Sequence, residues 1–187
     1  MPAALRAFDH AVFHRLNVEW SARFLDAFVP ALTDANKSPW FWLALAAVLA
    51  AWIWKERGRA LRMIVALSAA VAASDLLCYR VIKPLVHRLR PEFILPEVVL
   101  RAGHHGRYGF PSNHASNSFA ATTLLAAFYP RLAAPAFLIA AFIGYTRVYV
   151  GAHFPLDVLG GAAIGAAVGG LVAWACRAGG LIDARKR

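Results

Sequence analysis

Residues 146–176 read TRVYVGAHFPLDVLGGAAIGAAVGGLVAWAC. From residue 158 to the end of that stretch there is no charged side chain. A bilayer core of about 30 Å needs about 20 mostly apolar residues in a helix, and 154–176 supplies them. Gly161, Gly165 and Gly169 recur every fourth residue, the small-residue stripe by which membrane helices approach closely. The stretch therefore predicts a transmembrane helix.

Outward from it, four more segments read the same way: 132–149, 115–129, 61–82 and 40–54. The last opens on Ser38-Pro39, an N-cap followed by proline at the first helical position. It carries Trp40, Trp42, Trp52 and Trp54 at its ends, where aromatic belts meet the headgroups. The expected fold is all-α: a polytopic transmembrane helical bundle of five spans. In residues 1–35, Leu5, Phe8, Val12, Leu16, Trp20, Phe24 and Phe28 recur at a helical period. Arg15, Glu19, Arg23 and Asp26 make this segment a poor span. It is expected to form amphipathic helices lying in the interface, a sixth span being the alternative. No repeat or linker divides the chain, so 1–187 is read as one domain with a helical core over 38–176 and a basic tail over 177–187.

Composition agrees with membrane residence. The chain is 60% hydrophobic, against about 45–50% for soluble domains, and its mean hydropathy is +0.53. The formal charge of +10 lies between apolar runs rather than on a polar fold, which argues against a nucleic-acid partner. Arg6, Asp9, His10 and Arg15 interrupt any signal-peptide core. Cys78 and Cys176, both within apolar runs, read as small hydrophobes rather than as a metal or disulfide pair.

Basic clusters orient the bundle. Lys55, Arg57, Arg59 and Arg62 follow the first span, and Arg177, Arg185, Lys186 and Arg187 follow the last. Both are expected on the cytoplasmic side, which implies a multi-pass protein of the inner (cytoplasmic) membrane. Loop 83–113 and turn 146–153 then face the periplasm or cell exterior. The loop keeps Lys83, Arg88, Arg90, Arg101 and Arg107 there, against the positive-inside rule.

Three motifs fall on that face: Lys83 followed after six residues by Arg90-Pro91; Pro111-Ser112-Asn113-His114; and Thr146-Arg147, five residues, His153, three residues, Asp157. Lys83, Arg90 and Arg147 supply a point charge and two guanidinium forks for phosphate oxygens. Ser112 and Asn113 open a helix whose free N–H groups bind anions. His153 and Asp157, at i and i+4, share a helix face. A carboxylate there holds one imidazole nitrogen protonated and leaves the other to attack phosphorus. His114 can act as the general acid.

Other polar residues have plainer readings. His87, His104 and His105 read as loop residues, and Arg88 and Arg101 as charges facing headgroups. Asp75, inside a span, is either functional or hydrogen-bonded to a neighbouring helix.

The three motifs together resemble the signatures of the type 2 phosphatidic acid phosphatase superfamily: K-x(6)-R-P, P-S-G-H and S-R-x(5)-H-x(3)-D. The resemblance covers about residues 38–176. It implies a helical core with a phosphate site of Lys83, Arg90, Ser112, Asn113 and Arg147. It also implies His153 as nucleophile, Asp157 as its partner, His114 as acid/base, and neither metal nor cofactor. Asn113 replaces the motif's Gly and Thr146 its Ser. Small bacterial members act on undecaprenyl pyrophosphate, phosphatidylglycerol phosphate, phosphatidic acid or the 1-phosphate of lipid A. The expected partners are the bilayer and a phosphorylated lipid, with undecaprenyl pyrophosphate the first choice. A lipid phosphotransferase and a non-catalytic lipid-phosphate binding or transport protein are the competing readings. The sequence leaves the oligomeric state open.

Overall fold

The computed structural model describes residues 1–33, 38–103 and 106–182. His104, His105, Arg185, Lys186 and Arg187 lie outside the described residues. Helices make the whole framework: α1 (Ala3–His14), α2 (Arg23–Thr33), α3 (Pro39–Glu56), α4 (Gly58–Leu76), α5 (Lys83–Val86), α6 (Asn113–Phe128), α7 (Ala133–Tyr149) and α8 (Pro155–Ala178). Among the described residues the only strand-like pairing is an antiparallel bridge of Leu89 with Tyr108.

α6 is the centre of the bundle, packed most extensively on α8 and also on α4 and α7. Close approach to α8 is possible because Gly161, Gly165 and Gly169 face the backbone carbonyls of Ser112, Ser116 and Ala120. The stripe therefore packs inside the bundle. A cluster of Met63, Ala66, Ala70, Leu124, Phe128, Ala173 and Cys176 fills the space between α4, α6 and α8.

Each of the five expected spans forms a helix, but their lengths differ. Among the described residues, Gly58–Val86, Pro130–Tyr149 and Pro155–Ala178 are long and apolar enough to cross a membrane. α6, at 16 residues, reaches only about 24 Å at 1.5 Å per residue, and polar groups from Asn113 to Thr123 interrupt it. α3 is apolar all round, buries no residue and ends on Lys55 and Glu56. It packs chiefly on α4, with Trp52 edge-on to Tyr129 at 5.8 Å, an arrangement that suits lipid on its other sides.

The helix begun by α4 continues into α5 through a widened π-type turn, Leu77–Ile82. Pro84 has no N–H to donate four residues back, which favours such a local change of register. The chain leaves the helix at His87 with φ +52.

Along residues 1–33 the buried positions lie on one side. Phe8, Trp20, Phe24 and Phe28 are exposed, whereas Asp9, Phe13, Asn17 and Val29 are fully buried. Asn17 donates to the carbonyls of Tyr149 (2.8 Å) and Val99 (3.0 Å) and accepts from Val99 N–H (2.9 Å). The amphipathic segment is thus built into the bundle along one face.

Candidate active site

The site forms where α7 turns into α8. Gly151, at φ +84, lets the chain reverse under Val99, where an added Cβ would meet the Val99 carbonyl at 2.9 Å. α8 then starts on Pro155, and Asp157 Oδ2 accepts the Phe154 N–H at 3.0 Å. This cap fixes the carboxylate beside His153, whose Nδ1 lies 3.6 Å from Asp157 Oδ2. That separation is too long for a formed hydrogen bond, and Nδ1 has no other partner among the described residues.

The other ring nitrogen settles the tautomer. His153 Nε2 lies 3.1 Å from Arg90 Nη1, and a guanidinium can only donate. Nε2 is therefore the unprotonated acceptor, and the proton sits on Nδ1, facing Asp157. Burial and the positive charge of Arg90, Lys83 and Arg147 hold the imidazole neutral, well below its ordinary pKa of 6.5. Arg90 is the cation in direct contact with the ring. The geometry offers a neutral imidazole whose unprotonated Nε2 is held by Arg90, and an unprotonated nitrogen is what a nucleophile requires.

Two of the cations are held by main-chain oxygens. Arg90 donates to the carbonyls of Ala152 (2.8 Å) and Gly106 (2.9 Å). Lys83 Nζ donates to the carbonyl of Pro111 (2.8 Å) and, at longer range, to those of Tyr108 and Gly109. Arg147, also buried, reaches the Thr146 hydroxyl at 3.3 Å. Thr146 keeps the motif's hydroxyl and donates it to the Ile143 carbonyl at 2.7 Å. Loop 106–111 thus closes over the site, and a Cβ on Gly109 would meet Asp157 Oδ2 at 2.8 Å.

Ser112 caps α6 and is fully buried. Its N–H donates to the Asp157 carbonyl at 2.9 Å, tying the start of α6 to the start of α8. Its hydroxyl has no partner among the described residues, as suits a group facing an anion. His114 is exposed in the first turn of α6. All eight sequence-predicted site residues, His153, Asp157, His114, Lys83, Arg90, Ser112, Asn113 and Arg147, thus belong to one end of the bundle.

Asn113 turns elsewhere. Its amide donates to Asp75 Oδ1 at 2.8 Å, and Asn117, one turn on, donates to the same oxygen at 3.1 Å. Asp75 is hydrogen-bonded to a neighbouring helix, and through Asn113 it is tied to the first turn of α6. Asp75→Ala would strand both amides, at about 1–3 kcal/mol for the lost partner. The expected result is a lower Tm in detergent together with a raised KM for the phosphorylated substrate.

Two arginines expected to face headgroups are internal. Arg88 lies between Asp9 and Asp157. Arg101, its side chain 6% exposed, pairs with Asp26 and lies 4.3 Å over the Tyr149 ring. Neither partner was recognised from the sequence, though Asp9 gave one signal: it sits four residues before Phe13, on the face that α1 buries.

Comparison with known proteins agrees with this geometry. Residues 60–178 match the PAP2 superfamily. The chain is 35% identical over 150 residues to the lipid A 4'-phosphatase of Bacteroides thetaiotaomicron, covering 76% of this chain and 65% of that protein. It is 35% identical over 106 residues to phosphatidylglycerophosphatase B of Bacillus subtilis, covering 51% of this chain and 49% of that protein. The chain therefore spans less than two thirds of the length of these curated relatives. Among solved structures, the transmembrane PAP2 type phosphatidylglycerolphosphate phosphatase of Bacillus subtilis superposes with a TM-score of 0.68 at 24% identity, over 95% of this chain and 88% of that one. Aquifex aeolicus LpxE gives 0.64 at 27% identity, over 87% of this chain and 92% of that one. A match over residues 60–178, with all three motifs gathered around one buried histidine, shows that the chain belongs to the PAP2 superfamily.

Proposed function

We propose that this protein is an integral membrane phosphatase that hydrolyses a lipid phosphate through a phosphohistidine on His153. The observation that carries the reading is the His153 tautomer: Nε2 accepts from Arg90 while Nδ1–H faces Asp157. Pure binding of an anion does not require a neutral, oriented imidazole. His153 Nε2 attacks phosphorus, and His114 protonates the departing oxygen. Water, deprotonated by His114, then attacks the phosphohistidine and releases phosphate. Lys83, Arg90 and Arg147 neutralise the phosphoryl oxygens as charge moves.

Placement in the membrane follows from the two ends of the bundle. The site lies where α6 and α8 begin and α7 ends. At the opposite end Arg59 donates to the Phe128 carbonyl and Arg177 to the Ala127 carbonyl. Those basic residues belong to the cytoplasmic clusters, so we place the site on the extracytoplasmic face of the inner membrane. Five spans, with α3 and α6 completing the bundle, give this sidedness. The amphipathic face of residues 1–33 lies in the interface.

The substrate class is a phosphorylated membrane lipid whose tails stay in the bilayer. The relative named lipid A 4'-phosphatase makes a lipid A phosphate the first member to test. Phosphatidylglycerophosphate and undecaprenyl pyrophosphate complete the panel. Phosphate release in detergent with EDTA present tests the reading, because three protein cations take the role that metals play in other phosphoryl transfers. Release from one preferred lipid is the expected result; loss of activity in EDTA that Mg²⁺ restores would contradict it. Transfer of the phosphoryl group to a second lipid, with no free phosphate, would indicate a phosphotransferase.

The pH profile has a definite sign. A depressed pKa means that His153 stays neutral, and so nucleophilic, below its ordinary 6.5. The acid limb of kcat/KM, which reports the free enzyme, is expected well below pH 6.5 after correction for the substrate's own ionisation.

A further inference from the structure

Asp9 of α1 and Asp157 of α8 are both fully buried, and one guanidinium joins them. Arg88 Nη1 donates to Asp157 Oδ1 at 2.8 Å, and its Nη2 donates to Asp9 Oδ2. The second oxygen of Asp9 accepts the Leu156 N–H at 2.9 Å, so Asp9 caps the first turn of α8 from outside that helix. Rings reinforce the contact. The Arg88 guanidinium lies 4.7 Å from the Phe154 ring centroid. Against the same ring His10 stacks at 4.8 Å and Phe13 packs edge-on at 5.2 Å. α1 thus grips the segment that carries His153 and Asp157 through both charge and stacking.

A buried triad of two carboxylates and one arginine is a poor way to gain stability, because desolvation offsets most of the attraction. Tethering α1 would need only apolar contacts such as those of Phe13. What the triad adds is direction. With Oδ1 held by Arg88 and Oδ2 fixed laterally by the Phe154 N–H, the Asp157 carboxylate cannot rotate. Its remaining Oδ2 lone pair then faces His153 Nδ1 at 3.6 Å.

We propose that Asp9 and Arg88 are positioning residues for phosphoryl transfer. Arg88 sets the Asp157 carboxylate against His153, and Asp9 sets Arg88, which makes α1 part of the catalytic apparatus. Neither residue is a specified position of the three motifs, Arg88 falling among the six unspecified residues between Lys83 and Arg90, and Asp9 lies outside the matched region 60–178. The inference rests on the hydrolase reading above, since positioning has meaning only for that reaction.

The test compares Asp9→Asn, Arg88→Gln and Arg88→Lys with wild type in detergent, on the preferred lipid phosphate. Because both residues act through Asp157 and neither faces the anion, kcat is expected to fall about tenfold or more in Asp9→Asn and Arg88→Gln. KM should stay within about twofold, since Lys83, Arg90 and Arg147 are untouched. Arg88→Lys, which keeps the charge but loses the fork, is expected to recover part of the kcat lost in Arg88→Gln. Should Asp9→Asn or Arg88→Gln fail to fold, Arg88→Lys against wild type carries the same kcat-against-KM comparison. An unchanged kcat in these variants beside an active wild type overturns the inference alone, as does a loss confined to KM. Absence of turnover in the wild type overturns the hydrolase reading and the inference with it.

Discussion

His153→Ala is expected to abolish phosphate release, by at least about 10⁴-fold in kcat, as removal of a nucleophile does elsewhere. The size of the effect follows from what the residue supplies. Its Nε2 is a buried, unprotonated nitrogen that accepts from Arg90. No neighbouring group replaces it: Arg90 and Lys83 only donate, and His114 serves the leaving oxygen rather than phosphorus. Anion binding should survive, because Arg90 keeps its bonds to Ala152 and Gly106 and Lys83 its bond to Pro111. The variant should therefore bind a lipid phosphate without turning it over. Activity within about tenfold of wild type would place the nucleophile elsewhere.

Gly165→Ala is expected to destabilise the bundle and lower activity together. A Cβ at 165 would stand 2.0 Å from the Ser116 carbonyl oxygen and 2.9 Å from Ser116 Cα. These atoms are backbone, so no rotamer change relieves the clash, and α6 and α8 must separate. Helix propensity acts the other way, favouring Ala over Gly by about 1 kcal/mol. Overpacking costs about 1–3 kcal/mol, occasionally more, and a contact this short belongs at the upper end. The net sign is destabilising. Activity follows because the same helix pair carries the Ser112 N–H bond to the Asp157 carbonyl. Gly170→Ala is the internal control: nothing lies within 4 Å of its added Cβ, so propensity alone acts and Tm should hold or rise. A rise in Tm for Gly165→Ala would mean that the helices are not in close contact there.

The residues of the candidate site were legible because each motif is local. His153 and Asp157 share a helix face through i,i+4 spacing, and Ser112 begins a helix. Local pattern cannot reveal a charge whose partner is distant. Arg88 pairs with Asp9, 79 residues away, and Arg101 with Asp26, 75 residues away. Both look like surface charges until the fold brings the carboxylates to them. Asp75 was ambiguous for the same reason: its partners Asn113 and Asn117 lie on another helix. Hydropathy found the helices but not their individual reach, since α6 trades apolar length for the polar groups that serve the site. The amphipathic period of residues 1–33 was clear in sequence. That its inner face meets protein is a tertiary fact, carried by Asp9 and Asn17.

Transient phosphorylation of His153 is read by rapid quenching with ³²P-labelled lipid phosphate. A protein-bound label is expected, stable to alkali and lost in acid, that forms and decays at rates compatible with turnover and is absent from His153→Ala. Phosphate release from wild type with no labelled protein at any time, or a label that persists in His153→Ala, would contradict phosphorylation of His153.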